Sequence, residues 1–395
     1  MIQPALKDDA FLADVKCAAL DLEHLHLWWL GQSGFLVQWQ NHHLLLDPYL
    51  SDSLTKKYAG TDKPHVRMTE LIVAPERLDF IDVVTSSHNH TDHLDAETLI
   101  PLMRASPNLV LVIPEANRGF VADRLKVNTD FPLGLDAGTC CEWEGGKLAD
   151  ATVSELRNGS INRLSPSPDL RAPSPPPGER DGVRGCGSME ASTIPESRFG
   201  AMNHVTQPSP AASSGGVSPP GEASSETLGK LAGGTPALLG SSTVQNPPAS
   251  PLRTSHFTLR ISAVPAAHNE LEKDEQGRHR FLGYVVEFGP WTIYHSGDTI
   301  HYPSMEDWLR PWRIDVALLP INGDRPERRA AGNLDGRETA TLAKNVGARL
   351  VIPCHYDMFE FNTASPEEFE NVARELGQPF RILQCAARWS SHDFR

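Results

Sequence analysis

The chain has 395 residues, 39% of them hydrophobic, and a formal net charge of −14. That composition excludes a fibre, and no run approaches the roughly 18 apolar residues of a membrane-spanning helix. The acidic balance argues against a nucleic-acid partner, which needs clustered Lys and Arg, and leaves a small-molecule substrate as the expectation, with no membrane partner.

The N-terminus lacks a basic stretch followed by an apolar one, which points to a cytoplasmic protein. The first structured stretch runs Leu25 to Leu30, then Gly31-Gln32-Ser33-Gly34, then Phe35 to Trp39 and Leu44 to Asp47. Short aliphatic and aromatic runs punctuated by Gly and Asn predict a meander of strands. A strand Ile81–Thr85 leads into Ser86-Ser87-His88, a helix is predicted over Ala96–Ala105, and Asn108–Pro114 reads as a buried strand. Strands are predicted again over Phe257–Val264, Gly283–Phe288, Trp291–His295 and Ile314–Pro320. A helix follows from Gly336 to Val346, then a strand Arg349–Pro353. A last helix opens at Ser365-Pro366-Glu367-Glu368, with Ser as the cap, Pro at the first position and an acidic third residue.

Between 158 and 254 the composition turns rich in Pro, Ser and Gly, a segment that cannot bury enough apolar surface to offset its ordering entropy. It reads as a disordered insertion in a single domain spanning 1–395. Gly145 to Leu148 and Phe257 to Ile261 look like two halves of the hairpin it interrupts. The six cysteines, Cys17, Cys140, Cys141, Cys186, Cys354 and Cys385, form no C-x-x-C pair and read as reduced thiols. Cys354, directly before His355, reads as a buried small hydrophobe.

The strongest local signal is His88-Asn89-His90-Thr91-Asp92-His93, three histidines and a carboxylate at the end of an apolar strand. Imidazole nitrogen and carboxylate oxygen suit zinc, manganese and iron, and a strand-end loop can turn alternate side chains toward one point. His88 and His90 are expected to face one metal, and Asp92 and His93 a second beside it. No role is assigned to His24, His26, His42, His43, His204, His256 or His279.

H-x-H-x-D-H after a hydrophobic strand resembles the signature of the metallo-β-lactamase superfamily. The resemblance implies an α/β fold, a four-layer αβ/βα sandwich with metals between two sheets. It also implies a third histidine for the first metal, a bridging aspartate and a final histidine, and His268, Asp298 and His355 stand in those places. Asp47 resembles the family's early aspartate, which would orient a metal-binding histidine from behind. Within the superfamily, Trp28–Phe35, Leu46–Ser51, Tyr294–Thr299 and Ile352–Asp357 are similar to the L-ascorbate-6-phosphate lactonase-like group.

The activity so implied is hydrolysis of a lactone, phosphorylated or not, with two divalent ions, Mn2+ or Zn2+, as cofactors. Asp92 is expected to orient the attacking hydroxide and receive its proton. For substrate contacts the choice is Arg325 and Asn322, on a loop after a strand, with His301 and Tyr302 just after Asp298. Three rivals stand beside this reading: a phosphodiesterase of the same fold, a diiron redox protein, which would carry Glu in place of His90, and a metal-containing scaffold without catalysis. Hydrolases of this group often associate, so a homo-oligomer is also open.

Overall fold

The N-terminal helix α1 (Asp8–Ala18) precedes an antiparallel meander, β1 (His26–Gly31), β2 (Gly34–Trp39) and β3 (His42–Leu46). All six residues of β1 and of β2 are buried, which is why they read as continuous apolar runs rather than alternating ones. A short helix α2 (Ser53–Tyr58) leads to β4 (Val83–Thr85), α3 (Ala96–Ala105), β5 (Val110–Pro114), α4 (Arg118–Leu125) and β6 (Leu133–Leu135). β3, β4, β5 and β6 pair in parallel, with the helices as crossovers.

The second half holds β7 (Thr139–Glu144), β8 (Thr152–Glu155), β9 (Thr258–Pro265), β10 (Leu282–Phe288) and β11 (Trp291–His295). There follow α5 (Met305–Leu309), β12 (Val316–Pro320), α6 (Gly336–Asn345), β13 (Leu350–Cys354), α7 (Glu367–Leu376) and β14 (Arg388–Ser390). This computed structural model describes residues 1–144, 152–156, 258–328 and 332–394. The described residues fall in one unit, Met1–Pro166 with Arg253–Arg395.

Two seven-stranded mixed sheets result, ordered β14-β1-β2-β3-β4-β5-β6 and β13-β12-β11-β10-β9-β7-β8. Side chains from both form one apolar core, including Trp28, Phe35, Val84, Tyr284, Ile293 and Val351, all buried. This is the α/β sandwich the motif implied. The sheets are tied together near one end: Tyr284 Oη donates to Ser86 O at 3.0 Å, and Leu282 N donates to Ser87 O at 3.0 Å. Both carbonyls belong to the segment just after β4.

β7 pairs antiparallel with β9, Glu144 opposite Thr258, and on its other side with β8, the strand that precedes the insertion. Residues 145–148 and 257, and the Pro/Ser/Gly-rich segment 158–254, lie outside the described residues. The last helix begins one residue late, with Pro366 in the cap position. The Ser365 hydroxyl still accepts from Glu367 N at 3.2 Å. Among the described residues no helix is long and apolar enough to cross a membrane.

Candidate metal centre

Six segments build the site, each leaving the carboxyl end of a strand. The β1–β2 turn brings Gln32 and Ser33, and the end of β3 brings Asp47. The β4–α3 loop carries His88 to His93, and the ends of β9, β11 and β13 present His268, Asp298 and His355. Asp95, buried at the head of α3, accepts from Ser51 Oγ and Thr98 Oγ1 at 2.6 Å each and from Glu97 N at 3.3 Å, which pins the far end of the histidine loop.

All seven side chains expected at the metals converge. The donor atoms of His88, His90 and His268 lie within 4.8 Å of one another, as do those of Asp92, His93 and His355. Asp298 stands between the groups: its Oδ2 is 3.3 Å from His93 Nε2, 3.3 Å from His355 Nε2 and 3.6 Å from His268 Nε2. Asp92 Oδ2 is 3.7 Å from His93 Nε2 and 3.9 Å from His355 Nε2.

Three of the outer ring nitrogens, those of His268, His93 and His88, are already committed. His268 Nδ1 donates to Gly332 O at 2.7 Å and His93 Nδ1 to Asp47 Oδ2 at 2.6 Å, while His88 Nδ1 meets Ser87 Oγ at 3.0 Å. Such contacts fix each tautomer and leave Nε2 as a lone pair aimed inward. His88 Nε2 and His93 Nε2 are buried and make no hydrogen bond. Buried polar atoms are ordinarily paired, so several inward lone pairs beside two carboxylates fit divalent cations better than an internal hydrogen-bond network.

The electrostatics agree. Burial, reinforced by His93 and His90, pushes His88 well below the usual imidazole range, and burial holds His268 down at about 4. Against the same burial, Asp298 and Asp92 hold His93 well above that range. Asp298 is held well below the carboxylate range by His93 and His355, burial notwithstanding.

The backbone is bent to this purpose. Gln32 (φ 50), Asp47 (φ 41) and His355 (φ 65) all adopt the left-handed conformation without being glycine, and all three sit in the site. Each such residue costs on the order of 1–3 kcal/mol, a strain that persists where the surroundings over-determine it.

Asp47 is fully buried; its Oδ1 accepts from Ser87 N at 3.0 Å, and the Ser87 hydroxyl donates to Oδ2. Asp47→Ala is expected to weaken metal affinity about 10- to 100-fold while leaving the ligands in place. Competition with a chelator checks this; an unchanged affinity would remove the supporting role.

Gln32 and Ser33 are site residues to which no role was assigned from sequence. Gln32 Nε2 lies 2.8 Å from Asp92 Oδ2 and 3.0 Å from His355 Nε2, and Ser33 Oγ donates to Asp298 Oδ1 at 3.2 Å. Gln32 O accepts from Trp29 Nε1 and from His355 N, both at 2.9 Å, which locks the turn. The available signal was a polar pair between two glycines joining two largely apolar runs. Cys354 is buried, and burial pushes its thiol well up, so it is inert packing.

A cleft of about 440 Å³ opens onto the cluster, lined on its outer walls by Lys57, Tyr58, His65, Arg124, Phe361 and Asn362 among others. The four residues expected at the substrate are not in this lining. Arg325 is exposed, and His301 is exposed and pairs with Glu306 at 3.0 Å. Tyr302 is buried with its hydroxyl donating to Pro265 O at 2.7 Å. Asn322 is buried one layer behind, its Nδ2 donating at 2.9 Å to Oδ1 of the cleft residue Asn362.

Two family profiles, both described as Beta-lactamase superfamily domain, match the chain over residues 26–159 and 223–356. A UPF0173 metal-dependent hydrolase of Rubrobacter xylanophilus is 36% identical over 129 residues, 31% of this chain and 50% of that protein. One of Pyrococcus horikoshii is 37% identical over 122 residues, 30% of this chain and 49% of its own length. The chain thus spans about half the length of the curated relatives it matches. The isothiocyanate hydrolase from Delia radicum gut bacteria shares the fold, with TM-score 0.51 at 14% identity, over 92% of this chain and 98% of the other. With its two mixed sheets and its histidine and aspartate clusters able to bind metal, the chain has the metallo-β-lactamase fold, in keeping with the Beta-lactamase superfamily domain profiles that match it in two parts.

Proposed function

We propose that this chain is a metal-dependent hydrolase that holds two divalent ions, Mn2+ or Zn2+. His88, His90 and His268 would hold one, Asp92, His93 and His355 the other, with Asp298 shared. The observation that carries the reading is the placement of one Asp298 oxygen within 3.6 Å of histidines from both groups. When bound, such a pair makes hydroxide available near neutral pH and polarises a carbonyl.

The chain's own residues do the rest. Asp92, at the cleft wall, orients the nucleophile and receives its proton. Gln32 fixes the Asp92 carboxylate through the 2.8 Å contact, so that its free oxygen has one orientation. The finer reading is opening of a sugar lactone, phosphorylated as in L-ascorbate 6-phosphate, supported by the likeness of Trp28–Phe35 and Ile352–Asp357 to that lactonase-like group.

Elemental analysis with a pH-stat assay on phosphorylated and unphosphorylated sugar lactones tests both levels. The expected result is about two metals per chain and metal-dependent acid release, reduced on the order of 100-fold in kcat by Asp92→Asn. Two metals without lactone turnover would discard the lactone and retain the hydrolase; full metal content and full activity in Asp92→Asn would discard the role of Asp92.

A further inference from the structure

The hydrolytic reading leaves two features of the cleft unused. The first is charge. Among the described lining residues the only carboxylates are Asp92 and Asp298, both inside the metal cluster, whereas Lys57, Lys63 and Arg124 are cations. In a chain of net charge −14 this lining runs against the average, and a concave wall of one sign focuses potential on what enters it.

Arg124 is built into place rather than dangling. Its Nη1 donates to Asn89 O at 2.6 Å and to Leu94 O at 3.2 Å, both on the loop that carries the metal-site histidines. The guanidinium carbon lies 4.4 Å from the Phe120 ring centroid. Its Nε and Nη2 have no hydrogen-bond partner among the described residues, which leaves that edge of the fork open for an anion. Lys57 is exposed at the rim, 5.1 Å from the Tyr58 ring, and forms no ion pair among the described residues.

The second feature is an aromatic shelf. His65 lies nearly flat on Tyr58, centroids 4.1 Å apart and rings inclined by 17°, and Phe361 packs against His65 at 4.3 Å. His65 Nδ1 donates to Lys63 O at 3.1 Å, which holds the imidazole in that orientation. A rigid aromatic surface beside an open cleft takes the face of a planar or apolar group.

We propose that the cleft selects substrates bearing a carboxylate or phosphate remote from the bond that is cut, with Arg124 and Lys57 binding that anion and the Tyr58–His65–Phe361 shelf carrying the planar or apolar body. This rests on the metal-hydrolase reading and assigns its substrate class. A neutral ester would forgo the remote charge-assisted hydrogen bonds.

Titration calorimetry on the metal-loaded protein reads this with ω-carboxyalkyl phosphonates of graded spacer length, each against its carboxamide. The phosphonate is common to both probes, so the difference belongs to the remote group. At the best spacer the carboxylate is expected to bind about tenfold more tightly than the amide. Lys57→Glu and Arg124→Gln should each erase that preference, whereas Lys16→Glu, an exposed charge reversal on α1, should keep it. A preference absent from the wild type, or surviving both cleft substitutions, overturns the proposal. Metal-independent binding of both probes overturns the hydrolase reading and this one with it.

Discussion

Asp298→Ala is expected to lower hydrolysis by at least about 1000-fold and to reduce metal content from about two ions per chain to one or fewer. Among the described residues no other carboxylate oxygen lies within 3.6 Å of histidines of both donor groups. A second consequence needs no metal. Asp298 and Asp92 draw His93 well above the usual imidazole range against its burial, and both His93 and Asp298 are buried. Removing one partner of a buried pair leaves an uncompensated charge and costs about 3–5 kcal/mol. The metal-free variant should therefore melt well below the metal-free wild type, and Asp298→Asn, which preserves shape and one acceptor, should recover part of the loss. Elemental analysis and thermal melts with and without chelator measure both effects. Two retained ions with full activity would show that Asp298 is not shared between the groups.

The residues that converge in the candidate site were legible because they follow largely buried runs that end abruptly: Val83–Thr85 before His88, Trp291–His295 before Asp298, Leu350–Cys354 before His355. A strand buried on both faces reads as an apolar block, and a polar cluster at its end has few places to go except the sheet edge. The same pattern made the meander and the helices α3 and α6 readable. The helix α1 was not, since its buried residues Phe11, Val15 and Ala18 form only a thin stripe. β14 is three residues long and pairs with β1 across most of the chain, so it carries no local signal.

The four residues expected at the substrate lie outside the cleft lining for a related reason. Arg325 was favoured because its loop leaves β12 on the side where the ligand loops emerge, yet the loop folds back on itself: Arg328 N donates to Arg325 O at 2.9 Å, and Arg328 Nη2 donates to Thr363 O at 2.6 Å. The cations and rings that do line the cleft come from α2, from the irregular stretch around His65, from α4 and from the segment after β13. None has a periodicity, and they meet only because β4 and β13 end on the same side. Sequence spacing encodes which side chains share a strand end; it does not encode which loops from different halves will face one another.

Gly297→Ala is expected to cost about 2–4 kcal/mol of stability and to lower metal affinity, although residue 297 binds nothing itself. Gly297 has φ +59, and a methyl built there would stand 2.6 Å from Ser87 Cβ and 3.0 Å from Leu282 O. Ser87 cannot move freely, because its hydroxyl donates to Asp47 and faces His88 Nδ1, and its amide donates to Asp47 Oδ1. Nor can Leu282 O, since β10 starts there and Leu282 N is bonded to Ser87 O. The clash is thus passed to Asp47, the support of His93, and to Asp298 one residue on, so one methyl disturbs both metal positions. Gly119→Ala, in α4 with nothing within 4 Å, is the matched control and should stabilise by about 0.5–1 kcal/mol through helix propensity alone. Melting curves of the metal-free proteins separate the fold effect from the site effect, and chelator competition measures the latter. A Gly297→Ala protein with wild-type stability and affinity would mean that the β4 and β11 loops yield to each other, and that the close approach of Gly297 to Ser87 is not what sets the distance between Asp298 and the histidines.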